Sequence, residues 1–270
     1  MIWYWNTEPL LIAGLLATAL SYLLVVGPLR VHHAPAKKFP RHQSVLFMLG
    51  LVTLYLALGS PLDLIAANFL FSAHMAQHMI LIYLVPPLLL GGIPPWMLYP
   101  ILRGARLFGL ARLLTKPLVA FLLFNLILVF WHMPAFYEAT LASRTLHEVE
   151  HLTFLLAGIL MWWPILSPTP QLRRLHYGTQ LIYIFGLSVT QLPLVGFITF
   201  SPGLLYPFYA AAPRVFGLSP LADQQLGGVI MSLSGMIVLT TVFALVFFRW
   251  YETSEKNSKS ARLPVRQVAR

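Results

Sequence analysis

Five histidines define the chemistry open to this chain. His74 and His78 are four residues apart, His147 and His151 are four residues apart, and His132 stands between the two pairs. Residues i and i+4 share one helix face, so each pair aims two imidazoles the same way and two adjacent helices can bring four to one pocket. Three of the five are followed by methionine, as His74-Met75, His78-Met79 and His132-Met133, and Met161 lies further along. Imidazole with thioether suits Cu(I), whereas imidazole alone suits Cu(II) or Zn(II). The chain has no cysteine, which excludes thiolate ligation and disulfides and leaves His and Met to build any soft-metal site. The candidate ligands are therefore His74, His78, His132, His147 and His151 with Met75, Met79 and Met133, for a copper ion or, alternatively, zinc. Asp63, Glu148, Glu150 and Asp223 are suited to accept the outward N–H of a ligating imidazole. His32, His33, His42 and His176 fall among basic residues and read as solvated loop histidines.

The same residues admit other chemistry. His147-Glu148-Val149-Glu150-His151 is a literal H-E-x-x-H, in which two histidines bind zinc and Glu148 is the general base of a metallopeptidase. Intramembrane peptidases of that kind take a third ligand from a Leu-Asp-Gly context. The nearest match here, Leu62-Asp63-Leu64, lacks the glycine, and a peptidase leaves His74, His78 and His132 unused. A haem held by one histidine from each of two helices is a third reading, against which stands the surplus of Met and carboxylate. In a fourth, the histidines serve helix packing in a metal-free scaffold.

The elements that must position these residues lie in lipid. The 270 residues are 58% hydrophobic and 10% charged, with a mean hydropathy of +0.76, far too little charge for a soluble surface of this size. Apolar stretches near the length that crosses a hydrocarbon core are Pro9–Leu29, Val45–Ser60, His74–Ile93, Pro117–Met133, His147–Leu166, Tyr177–Phe200 and Gln225–Phe248. They predict an all-α integral membrane protein of seven transmembrane helices, with one domain over 1–250 and a basic, disordered cytoplasmic tail over 251–270. Ala17-Thr18-Ala19 resembles a signal cleavage site, but no basic segment precedes it and the apolar run continues, which reads as a retained helix.

The net charge of +10 needs no nucleic-acid partner once the cations are sorted by loop. Arg30, Lys37, Lys38 and Arg41 follow the first span, and Arg103, Arg106, Arg112 and Lys116 the third. Arg173 and Arg174 follow the fifth, while Arg249, Lys256, Lys259, Arg262, Arg266 and Arg270 form the tail. Sixteen of the eighteen Lys and Arg thus fall on one side, leaving Arg144 and Arg214 on the other. Cytoplasmic loops accumulate such residues, so the C-terminus is expected inside and the N-terminus, with Trp3, Tyr4 and Trp5, outside. All five candidate histidines then come to the outer leaflet, with Glu8, Asp63, Glu138, Glu148, Glu150 and Asp223 on the same side.

Pro86-Pro87 and Gly91-Gly92 predict a kink below the histidines of the third span, and Pro193 with Gly196 a break in the sixth. Gly227, Gly228, Ser232, Ser234 and Gly235 give the seventh a small-residue face for close packing. The segment Ser201–Ala222, with Tyr206, Phe208, Tyr209 and Phe216, either lies on the membrane surface, covers the pocket or docks a partner.

From about Asp63 to Met231 the chain resembles the CtaG-type cytochrome c oxidase assembly factors, seven-helix membrane proteins of bacteria. The resemblance rests on Ser72-Ala73-His74-Met75-Ala76-Gln77-His78-Met79 followed by Pro86-Pro87-Leu88-Leu89 and Gly92-Ile93-Pro94. Trp131-His132-Met133-Pro134 with Phe136-Tyr137, His147-Glu148 with Glu150-His151, Trp162-Trp163-Pro164 and Asp223-Gln224-Gln225-Leu226-Gly227-Gly228 extend it. It implies a non-enzymatic role in maturing a haem-copper oxidase, with delivery of copper to the buried copper B centre of the oxidase's catalytic subunit. It also implies residence in the bacterial inner (plasma) membrane and an extracytoplasmic copper donor. An unrelated single-span assembly factor sometimes given the same name uses cysteines, which this chain lacks.

Overall fold

The computed structural model of the chain describes residues 3–33, 38–100, 102 and 104–262. Lys37, Arg103, Arg266 and Arg270 of the charge pattern, and residues 263–270 of the expected tail, lie outside the described residues. Among those described, the chain is 77% helical with no strand. Six helical segments are long and apolar enough to cross a membrane, or seven if a bent pair counts as one.

The first span is α1 (Pro9–Val26), followed by the short α2 (Arg30–His33) and the second span, α3 (Arg41–Gly59). Tyr22 ties them together: its ring stacks on Phe47 at 4.0 Å and its hydroxyl donates to the Gly92 carbonyl at 2.7 Å. Most other large side chains of α1 face outward, as expected where the surrounding solvent is hydrocarbon. Ser60 caps α4 (Pro61–Asn68), which leads into the third and most buried span. That span begins as α5 (Phe71–Met79), passes through a π-helical turn at Ile80–Leu84 and ends as α6 (Val85–Gly91).

The π turn is where the proline pair makes itself felt. Pro86 has no N–H to give the carbonyl of Ile82 four residues back, and Trp162 fills the gap, its indole N–H donating to that oxygen at 2.9 Å. The backbone thus widens into i→i+5 bonding instead of breaking, and the span stays continuous over Phe71–Gly91. A Cβ on Gly158 would meet Pro86 Cγ at 2.9 Å and the Ile82 backbone at 3.3 Å, so only glycine lets the fifth span pass this close.

The segment after the third span, expected as a basic loop, contains α7 (Ala105–Leu114), bent by 68° from α8 (Pro117–His132). Pro117 opens α8 in its first turn and Met133-Pro134 closes it, after which α9 (Pro134–Ala142) and the fifth span, α10 (Arg144–Leu166), follow. The sixth span breaks at Gln191, as its proline predicts, into α11 (Tyr177–Thr190) and α12 (Leu192–Thr199). After α13 (Phe208–Ala211), Gly217 adopts a positive φ of 69° on the way into α14 (Pro220–Arg262).

α14 corrects the expected tail. The helix does not end near Phe248, and residues 251–262 continue it. Extending an existing helix needs no new nucleus, and this stretch holds Glu252, Glu255, Lys256 and Ala261 with no Gly or Pro before Pro264. At the other end of α14, Gly227 and Gly228 let it press on α5 and α12, where a Cβ would overlap Phe71 and Thr199. The core thus forms around the third span, with α14 and α4 against α5, and α10 against α6 and α8.

A candidate metal centre

α5, α8 and α10 meet so that all five candidate histidines converge. His74 and His78 face His147 and His151 across the α5–α10 contact, with ring centroids 5.0 Å apart for His74–His147 and 5.5 Å for His78–His151. His132, ending α8, stands 5.9 Å from His78. The carboxylate among them is that of Glu150, fully buried, 3.6 Å from His74 Nε2 and 3.7 Å from His78 Nε2. One atom each from His74, His147, Glu150 and His151 lies within 4.8 Å of the others. Ligand atoms on a tetrahedral ion are roughly 3.3 Å apart, so small side-chain rotations close the set onto one ion.

Hydrogen bonds fix which nitrogen of His74 is free. The Tyr209 hydroxyl donates to the Ala66 carbonyl at 2.8 Å, which can only accept. The Tyr209 oxygen therefore accepts from His74 Nδ1–H at 3.3 Å and from the Tyr137 hydroxyl at 3.0 Å. His74 Nε2 is left as a lone pair pointing into the cluster, the orientation a ligating imidazole receives from an outer partner. It meets His78 Nε2 at 2.8 Å.

The rest of the cluster is short of partners. His78 Nδ1, His147 Nε2, His151 Nε2 and both Glu150 oxygens are buried without a hydrogen bond. The nearby Thr140 hydroxyl is committed to the Tyr137 carbonyl at 2.8 Å. Buried polar atoms are nearly always paired, and lone-pair nitrogens beside an unpartnered carboxylate are what a cation completes. The donor set of three or more imidazoles and one carboxylate fits Cu(II) or Zn(II).

The other candidates divide. Met75 is fully buried with Sδ 3.3 Å from His132 Nε2. Met79 and Met161 are buried in the apolar core, and Met133 is 51% exposed on the bundle surface. Asp223 binds no imidazole; its carboxylate receives the backbone N–H groups of Phe71 (2.7 Å) and Ser72 (3.1 Å) and the Ser72 hydroxyl. It caps the helix that carries His74 and His78, across 152 residues of sequence. Asp63 accepts from Gln77 Nε2 at 2.8 Å, while that amide also donates to the Ala57 carbonyl. Glu148 has a side chain 56% exposed and pairs with Arg144 at 3.1 Å. The sequence reading placed Glu150 in a supporting position, and the structure brings it among the ligand atoms. The hydrogen bonds that Tyr137 and Tyr209 make around His74 were not foreseen. Of the segment 201–222, Tyr206 and Tyr209 are buried over the site, with Tyr206 donating to the His132 carbonyl at 2.9 Å.

A model of the cytochrome c oxidase caa3 assembly factor family (Caa3_CtaG) matches residues 20–253. Among curated proteins, the chain is 26% identical over 263 residues to uncharacterized protein Mb0105 of Mycobacterium bovis and to uncharacterized protein MT0111 of Mycobacterium tuberculosis. It is 25% identical to uncharacterized protein ML1998 of Mycobacterium leprae. Each match covers 90% of this chain but 39% of the relative, so the chain spans about two fifths of the length of these relatives. No solved structure matches it.

Proposed function

The chain belongs to the cytochrome c oxidase caa3 assembly factor family, and on that premise we propose that it carries copper to the buried copper B centre of the oxidase's catalytic subunit. The ion is cargo, held by His74, His147, His151 and Glu150 with His78 beside them, and released by ligand exchange with no bond broken in the protein. The observation that carries this reading is the Glu150 carboxylate, buried without a hydrogen-bond partner among unpartnered imidazole nitrogens. An uncompensated carboxylate inside a membrane bundle is costly, and a cation compensates it. The charge sorting of the loops supports a histidine end facing the extracytoplasmic side of a bacterial plasma membrane, where a copper donor can reach it.

The rival readings fit less well. A metallopeptidase needs Glu148 beside the ion, whereas Glu148 is turned to the surface and paired with Arg144. A haem needs room between imidazoles of two helices, whereas the rings that face each other across α5 and α10 have centroids only 5.0 Å (His74–His147) and 5.5 Å (His78–His151) apart. A scaffold gives no account of the unpartnered atoms.

The test is elemental analysis of the detergent-purified protein after copper or zinc loading, for wild type, His151→Ala and Glu150→Gln. Near-stoichiometric copper in wild type that falls in both variants is expected. Copper content unchanged by either substitution overturns the site, no metal in any of the three leaves a scaffold, and a preference for zinc with loss of a proteolytic activity in Glu148→Gln revives the peptidase.

A further inference from the structure

His132 lies outside the four-atom cluster, yet its ring is tightly oriented. Nδ1 is 2.7 Å from the Leu128 carbonyl, which only accepts, so Nδ1 carries the proton and Nε2 the lone pair. That Nε2 stands 3.3 Å from Met75 Sδ, and both residues are buried. A thioether has no proton to offer, so two electron-rich atoms face each other inside the bundle. Met75 has little room to turn away, because α14 passes so near that a Cβ on Gly227 would lie 3.1 Å from Met75 Cγ. With metal–nitrogen and metal–sulfur bonds of about 2.0 and 2.3 Å, an N···S separation of this size subtends roughly 100° at an ion. That angle suits trigonal or tetrahedral coordination.

We infer that His132 and Met75 form a second metal subsite, softer than the carboxylate-containing cluster and selective for Cu(I). Imidazole plus thioether selects the monovalent ion, while the carboxylate-bearing set favours divalent ones. The inference rests on the copper-carrier reading and adds a route through the protein. From half-buried His147 the imidazoles run without interruption through His74 (5.0 Å) and His78 (4.3 Å) to His132 (5.9 Å). His78, whose Nδ1 has no partner, stands between the two subsites. Copper supplied as Cu(I) passes along this row of imidazoles by ligand exchange without the Glu150 carboxylate, so that no electron is transferred and the oxidation state does not change.

The experiment loads the full-length protein in detergent with Zn(II) and Ag(I), the latter a redox-inert probe for Cu(I), and measures both metals by mass spectrometry. Wild type is expected to hold about one of each. Met75→Leu, a near-isosteric change that keeps the fold, should weaken Ag(I) binding by at least the ~10–100-fold seen for loss of a supporting partner, leaving Zn(II) in place; His132→Ala should do the same. Undiminished Ag(I) binding in Met75→Leu overturns the second subsite while leaving the main cluster intact. Wild type that binds neither metal overturns the carrier reading itself.

Discussion

Removing the Asp223 carboxylate tests whether the metal site depends on a helix cap supplied from the far end of the chain. In Asp223→Ala, the backbone N–H groups of Phe71 and Ser72 lose their acceptor, while the Ser72 hydroxyl can turn to a local carbonyl. Cap losses in soluble helices cost about 0.5–2 kcal/mol because water replaces the missing acceptor. Asp223 is fully buried, so water does not reach these groups, and each orphaned N–H costs about 1–3 kcal/mol. Two of them make roughly 2–6 kcal/mol. Asp223→Asn keeps one acceptor oxygen and should lose about half of that. The assay is thermal unfolding in detergent with copper content measured on the same samples. The expected order of melting temperature is wild type, Asn, then Ala, and copper binding should weaken in the same order although Asp223 touches no imidazole. An Ala variant that melts with the wild type and binds copper equally well would refute the assignment of Asp223 as the cap.

Trp162→Phe keeps one aromatic ring but shrinks a fully buried side chain and leaves the Ile82 carbonyl, already deprived of its helical donor by Pro86, without a partner; a loss of at least about 1–3 kcal/mol in the same melting assay is expected. Tyr209→Phe removes the acceptor that holds His74 Nδ1–H and should weaken copper binding about 10–100-fold, read by chelator competition; because it also orphans the Ala66 carbonyl, the melting temperature should fall with it. Copper affinity should also fall as pH is lowered, because protons compete for the imidazole nitrogens, and a titration with a pH-insensitive competitor measures it. Burial holds the Asp63 carboxyl above its ordinary value, with the Gln77 hydrogen bond opposing. A carboxyl raised in the folded state favours folding at low pH and loses that contribution as pH rises through its folded pKa. Asp63→Asn should therefore melt above wild type at about pH 8 and converge with it near about pH 4, the unperturbed carboxyl range.

Much of the helical architecture was legible because apolar length is a strong signal in lipid, and the i,i+4 histidine pairs did meet across α5 and α10. The carboxylate at their centre was legible too. His147, Glu150 and His151 are spaced i, i+3, i+4 and share a face, whereas Glu148 is one residue on and points elsewhere. The familiar H-E-x-x-H pattern singles out Glu148, whose side chain is exposed and paired with Arg144. Other features depend on contacts distant in sequence. Nothing local to Pro86 shows that Trp162 would supply its missing hydrogen bond, and nothing local to Tyr209 shows that it would reach Ala66 and His74. Asp223 falls on the same side as the histidines and was expected to accept an imidazole N–H, but its carboxylate is taken up by the first backbone N–H groups of α5, a contact that nothing local to it announces. The helix beyond Phe248 was obscured because charged residues without periodicity look alike in a tail and in a solvated helical extension.

The long reach of that cap sets an order in time. During synthesis at about 5–20 residues per second, the residues of α5 leave the ribosome roughly 8–30 s before Asp223, which follows Phe71 by 152 positions. Through that interval the helix that carries His74 and His78 stands with its opening turn uncapped, and α10 arrives partway through to bring Glu150. On the copper-carrier reading the nascent protein therefore has no finished cup until α14 is in place, and copper offered earlier would find a loose row of imidazoles in place of a cage.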